Sequence, residues 1–212
     1  MRRFALITPI PELAELFSAK PADRLESRFK RGRDLTAPCV VLAVHEVEGH
    51  RELDSFWWSY VPTGARHVRV IREARGEDVA QRRIFADALS DHRILFIADW
   101  FYLWQRRTPT KLVGYLFRNT EPVPLALAAV CNVWVDEAEN QLLRSCALIT
   151  MPATEEVQPV AERMPVVLEP HEYDEWLDPD VHDTELLAGI IDPTHAPTLR
   201  RSRIKGSTMR RM

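Results

Sequence analysis

The string His45-Glu-Val-Glu-Gly-His50 gathers imidazoles and carboxylates, the groups that hold zinc or move protons. Zinc chemistry of the helical kind needs both imidazoles on one face, four residues apart. Here the spacing is five, Gly49 intervenes, and the preceding Cys39-Val-Val-Leu-Ala-Val44 run favours a strand. The segment reads as a strand end and a turn, and neither a metal nor another cofactor is expected. Glu155-Glu156 behind Thr154 reads as the acidic first turn of a short helix, not a catalytic dyad. His67, His92, His171, His182 and His195 share no spacing and read as surface or hydrogen-bonded groups. Cys39, Cys131 and Cys146 lie far apart in apolar surroundings without a Cys-x-x-Cys pair, which suits free core thiols in a reducing compartment.

Which elements must position such groups is bounded by composition. With 212 residues, 46% of them hydrophobic, the chain can bury one core without disulfide staples. Its net charge of −3 provides no overall field toward nucleic acid, so any such binding must come from local patches. Residues 19–33 are one, with Lys20, Arg24, Arg28, Lys30, Arg31 and Arg33; the tail is another, with Arg200, Arg201, Arg203, Lys205, Arg210 and Arg211. The expected organisation is a single domain over 1–197 followed by a basic, flexible tail over 198–212. The N-terminal apolar run is short and broken by Pro9 and Pro11, and no stretch approaches a membrane span, so a cytoplasmic protein is expected.

Hydrophobic periodicity predicts helices over 11–18, 77–89, 154–160 and 171–177. Strands are predicted over 39–44, 56–61, 67–71, 94–98, 111–117, 125–135, 142–150 and 164–168. The implied fold class is α+β, a mostly antiparallel sheet or barrel-like core with a few short helices.

Two stretches carry a resemblance: Arg93-Ile-Leu-Phe-Ile-Ala-Asp-Trp-Phe-Tyr-Leu-Trp104 and Pro159-Val-Ala-Glu-Arg-Met-Pro-Val-Val-Leu168. With Trp58-Ser-Tyr-Val-Pro62, Glu73-Ala-Arg-Gly-Glu77, Pro124 to Trp134 and Ser145 to Thr150, they resemble the SOS-response-associated peptidase family in order and spacing. The likeness covers residues 56 to 178. It implies that family's fold and a role at abasic sites in single-stranded DNA, where an N-terminal cysteine captures the opened sugar as a thiazolidine.

The same likeness implies a loss of that chemistry. Met1 stands at the cysteine position, Glu73 at an asparagine that orients the sugar, Leu103 at a proton-moving glutamate, and Ala161 at a histidine that assists ring opening. Leucine and alanine cannot transfer protons. Trp100, at a family glycine, is expected to fill the sugar's space. Arg3, Arg75 and Arg163 match arginines that contact the DNA backbone, for which forked guanidinium donors are suited. Trp57 and Trp58, with Pro38, are candidates for a flat surface on which an unstacked base rests, although strand alternation favours core for Trp58 and exposure for Trp57. The resulting expectation is a catalytically degenerate relative that binds single-stranded, junction or abasic-site DNA without a stable crosslink. The alternative is a protein-interaction or regulatory module that reuses the fold. A third reading keeps an enzyme built on Glu73, Asp99 or the Met1 α-amine.

Overall fold

The computed structural model describes residues 3–23, 25–65, 71–136 and 141–209. Strand β1 (Arg3–Leu6) leads to helix α1 (Ile10–Leu16), then β2 (Lys20–Pro21), α2 (Leu25–Arg28) and β3 (Gly32–Thr36). The hairpin of β4 (Val40–Val47) and β5 (His50–Trp58) precedes β6 (Glu73–Arg75) and α3 (Arg83–Asp91). Five longer strands follow: β7 (Arg93–Ala98), β8 (Trp100–Thr108), β9 (Lys111–Asn119), β10 (Leu125–Asp136) and β11 (Gln141–Pro152). Short strands β12 (Arg163–Pro165) and β13 (Val167–Leu168), helices α4 (Tyr173–Leu177) and α5 (Thr184–Ile191), and strand β14 (Leu199–Met209) complete the described chain.

Strands β11, β10, β7, β4 and β5 pair in that order, and β5 returns to β11 through a parallel contact at Trp57 and Trp58, closing a five-stranded barrel. An antiparallel sheet in the order β14-β9-β8-β1-β3 packs beside it. The two meet where Phe4 of β1 touches Trp58 and Phe96 edge-on, at centroid distances of 5.7 and 5.0 Å. Such pairs add to area burial through the ring quadrupoles. The α+β expectation therefore holds, and the unbroken apolar run of β10 is explained by burial on both faces from Leu125 to Val130.

Three local expectations differ from the structure, and one helix, α5, was not expected. Helix α3 starts at Arg83 because Gly76 is drawn into the barrel wall, its N–H donating to Thr150 O at 2.8 Å, and turns occupy the residues between. A Cβ at Gly76 would lie 2.2 Å from Ile191 Cγ2, so glycine is what lets α5 approach here. Helix α5 carries a legible start in Asp183, whose carboxylate accepts from Glu185 N and Leu186 N, but its apolar run suits a strand equally well. Residues 154–160 form turns and no regular helix. The tail expected to be mobile is instead β14, paired along β9 from Leu199↔Asn119 to Met209↔Leu112. A strand edge offers backbone donors and acceptors whatever the side chains, so a basic segment can still pair. Of the strand predicted over 67–71, residues 67–70 lie outside the described residues, and Ile71 bridges to Tyr60.

Candidate functional site

Strand β6 runs parallel to β11, with Glu73, Ala74 and Arg75 opposite Leu148, Ile149 and Thr150. Alternation turns Ala74 inward and leaves Glu73 and Arg75 exposed. On the other edge of β11, β12 places Arg163 opposite Pro152. Arg75 and Arg163 thus flank one end of β11. The Arg163 fork, however, is filled: Nη1 and Nη2 donate to Glu77 Oε1 and Oε2 at 2.5 and 2.7 Å, and Nη2 also to Thr150 O at 2.7 Å. A phosphate at Arg163 must compete with that carboxylate.

The same pair sets a pH response. Hydrogen bonding to Arg163 holds the Glu77 carboxyl below the usual carboxylate range and raises the Arg163 guanidinium. A depressed folded value contributes stability that is complete above the unfolded pKa and disappears as pH falls through the folded one. Acid is therefore expected to release β12 from the Glu77 segment while near-neutral pH retains it. A carboxyl-carbon NMR titration checks this, and a Glu77 midpoint at or above the ordinary glutamate value contradicts it.

Leu103 and Ala161 belong to two segments joined by one side chain. Gln105 Nε2 donates to Pro159 O, and Tyr115 Oη donates to Gln105 Oε1 at 3.4 Å. Leu103 lies on the inner face of β8 beside Phe101 and is 6% exposed; Ala161 is half-buried and packs on the core. Arg201 closes this corner from β14, with its Cζ 5.6 Å from the Tyr115 ring centroid and Nη1 donating to Glu156 O at 3.2 Å. Gln105 and Tyr115 were not singled out by the sequence, although alternation along β8 was an available signal for Gln105, and Arg201 was marked only as part of the basic tail.

The remaining predicted residues scatter. Trp58 cannot serve as a stacking platform: it is fully buried, and its Nε1 donates to Arg72 O at 3.0 Å, because β5 turns it into the barrel against Phe4 and Phe96. Trp57 faces the other way, half-buried in a groove with Val40, Val133, Leu142, Arg28 and Arg144. It pairs with Ser145, five residues along β11 from Thr150, so about 17 Å of strand separates it from Arg75. Pro38 is exposed beyond a cis peptide bond, next to Cys39, whose carbonyl accepts from Trp58 N. Arg3 lies on the second sheet, 3.3 Å from Asp34 and with its Cζ 5.4 Å from the Trp104 ring centroid. Met1 lies outside the described residues.

Trp100 alternates with Phe101 and therefore points away from the inner face that carries Leu103. A plug on the Leu103 side is thus not its place in the fold. Asp99 accepts from Ile7 N, Thr8 N and Thr8 Oγ1 at 2.5, 3.0 and 2.5 Å, a set that fixes the turn after β1. His45 and His50 sit on opposite strands of the β4–β5 hairpin, across the Glu48-Gly49 turn. Glu48 and Gly49 both have positive φ, as the tight hairpin turn requires. His45 stands opposite Glu52, near Asp54, and burial lowers its pKa; the Asp54 carboxylate is met by Ser55 N and Arg144 Nη1, each at 2.6 Å. Burial also pushes the Cys39 and Cys131 thiols up to about 11 and 12, and all three cysteines are free.

A closed barrel beside an antiparallel sheet, with arginines flanking one strand end, defines a β-rich protein whose polar side chains gather at a corner of β8, β11 and β12. Residues 2–208 match the SOS response associated peptidase (SRAP) family, and the chain belongs to it. It is 25% identical over 199 residues to abasic site processing protein YobE of Bacillus subtilis, covering 92% of this chain and 89% of that one. It is 28% identical over 158 residues to abasic site processing protein YedK of Escherichia coli, covering 73% and 68%. A solved structure from Bacteroides thetaiotaomicron shares the fold at a TM-score of 0.87 and 16% identity, covering 97% of this chain and 93% of its own. One from Bordetella bronchiseptica does so at 0.77 and 19%, covering 97% and 100%.

Proposed function

We propose that this chain is a SRAP protein that binds abasic or intact single-stranded DNA and forms no stable crosslink. The observation that carries the reading is the pair Leu103 and Ala161. Both stand where the family likeness implies proton-transferring groups, and Leu103 is packed in the core. General acid–base work needs a titratable side chain in reach, and neither position has one. Glu73 is exposed on β6 and is the nearest carboxylate substitute among the four departures, but a carboxylate there also repels phosphate. Exposed Arg75 and Arg201 support retained contact with a DNA backbone, with Arg163 joining them where phosphate displaces Glu77.

The test is incubation with an abasic single-stranded oligonucleotide, read on native and denaturing gels. A native shift without a heat-stable denaturing band is expected. A band that survives denaturation sinks the loss of crosslinking; no native shift sinks DNA binding and favours the protein-interaction reading.

A further inference from the structure

Register across the second sheet gathers side chains that are remote in sequence. Residues directly opposite in antiparallel strands share a face. Arg3 opposes Tyr102 on β8, Tyr102 opposes Leu116 on β9, and Leu116 opposes Ser202 on β14. Stepping by two from these residues, the same face carries Trp100, Trp104 and Arg106 on β8, Arg118 on β9 and Arg200 on β14. Arg33 of β3 reaches it too, its Cζ 5.8 Å from the Trp100 ring centroid. The opposite face holds Phe4, Phe101, Val113 and Phe117, all buried, while the arginine and aromatic residues of this face are half-buried or exposed.

Five arginines therefore share one sheet face with three aromatic rings, in a chain of net charge −3. The strand carboxylate beside them is Asp34, 3.3 Å from Arg3. Tyr102 Oη donates to Arg33 O at 2.6 Å, which ties β3 to β8 across β1. Trp100, Tyr102 and Trp104 recur every second residue, a repeat of about 6.6 Å, or nearly two stacked-base steps of about 3.4 Å. The Nε1 atoms of Trp100 and Trp104 are enclosed and have no hydrogen-bond acceptor.

We infer that this outer face is a sequence-neutral platform for single-stranded nucleic acid, with bases on Tyr102 and, as Arg33 and Arg3 swing off them to phosphate, on the Trp100 and Trp104 rings, and with further phosphates on Arg118 and Arg200. It deepens the single-strand reading above by adding a surface on the face opposite Leu103. Arg33 and Trp100 extend it beyond Arg3. Aromatic rings provide stacking that every base can use, and a concentrated basic face provides salt-sensitive affinity without reading sequence.

The test uses the full chain and labelled oligo-dT and oligo-U strands of about 15 nucleotides, a length within common single-strand site sizes. Trp100→Ala is expected to weaken binding about ten-fold, and Arg118→Ser with Arg200→Ser to reduce the slope of log affinity against log salt by about two. Arg118 and Arg200 lie at the sheet surface, so their replacement keeps the test meaningful if Trp100→Ala folds poorly; circular dichroism monitors folding. Equal effects on dT and U support a face that is indifferent to the sugar, and a loss confined to one sugar type supports the face with DNA or RNA selection. Wild-type binding that neither variant changes overturns the platform but leaves the DNA reading standing. A wild type that binds neither strand overturns both. Binding to phosphatidylglycerol vesicles through these arginines without strand binding overturns the platform in favour of a lipid surface.

Discussion

Leu103→Glu is expected to fold less stably by about 2–4 kcal/mol and to gain no crosslink to abasic DNA. Leu103 is 6% exposed beside Phe101 and opposite Tyr115, so a carboxylate there loses most of its hydration. Gln105 already bonds Pro159 and Tyr115, which leaves it poorly placed to compensate. Burial should raise the new carboxyl above its unfolded value near 4.3, so the charged form is disfavoured in the folded chain. The penalty relative to the parent is then small at acidic pH and grows as pH rises past that unfolded value. Denaturant unfolding at pH 4 and pH 8 measures this. Adding Ala161→His should still give no heat-stable adduct if, as proposed above, methionine stands where the family likeness implies the thiol. A covalent band from the double variant would show that proton transfer alone had been lacking.

Arg93→Ala is expected to cost about 2–4 kcal/mol, because it strips several enclosed backbone carbonyls of their donor at about 1–3 kcal/mol for each one left unsatisfied and removes buried packing. Arg93 is 3% exposed and joins two helix ends to the barrel. Its Nη1 donates to Leu89 O and Ser90 O at 2.6 and 2.5 Å, its Nε to Trp176 O at 2.6 Å, and its Nη2 to Asp178 O. Those carbonyls lie at the C-terminal ends of α3 and α4, where backbone acceptors lack helical partners and the dipole is negative. Burial lowers the Arg93 pKa, opposed by Asp178 and Asp91, but a guanidinium stays charged. Lysine cannot serve four separated acceptors with one ammonium, so Arg93→Lys should recover little. A urea midpoint for Arg93→Ala within error of the parent would refute this account.

Much of the barrel was legible because β-branched runs are local signals. The runs at 39–44, 94–98, 125–135 and 142–150 all became strands, and their apolar residues had nowhere else to go. Strand β8 was obscured by apolar residues on both faces, with Phe101 and Leu103 inward and Trp100, Tyr102 and Trp104 outward. The start of α3 was misplaced because the amphipathic pattern could not register the backbone bond from Gly76 to Thr150. Motif order picked out Arg75 and Arg163, but their place on one strand end and the filling of the Arg163 fork by Glu77 come from strand register.

The amino-acid sequence by itself determined the residue types at the family positions, including leucine and alanine where proton transfer was expected, and the α+β class that follows from hydrophobic alternation. Only the tertiary structure decided that Trp57 lies far along β11 from Arg75, and that Arg3, Arg33, Arg118 and Arg200 share a face with three aromatic rings. The physical reason is range. Alternation and side-chain chemistry are properties of neighbouring residues, whereas strand register is set by pairing between distant segments, and a shift of one residue would turn every one of these side chains to the other side.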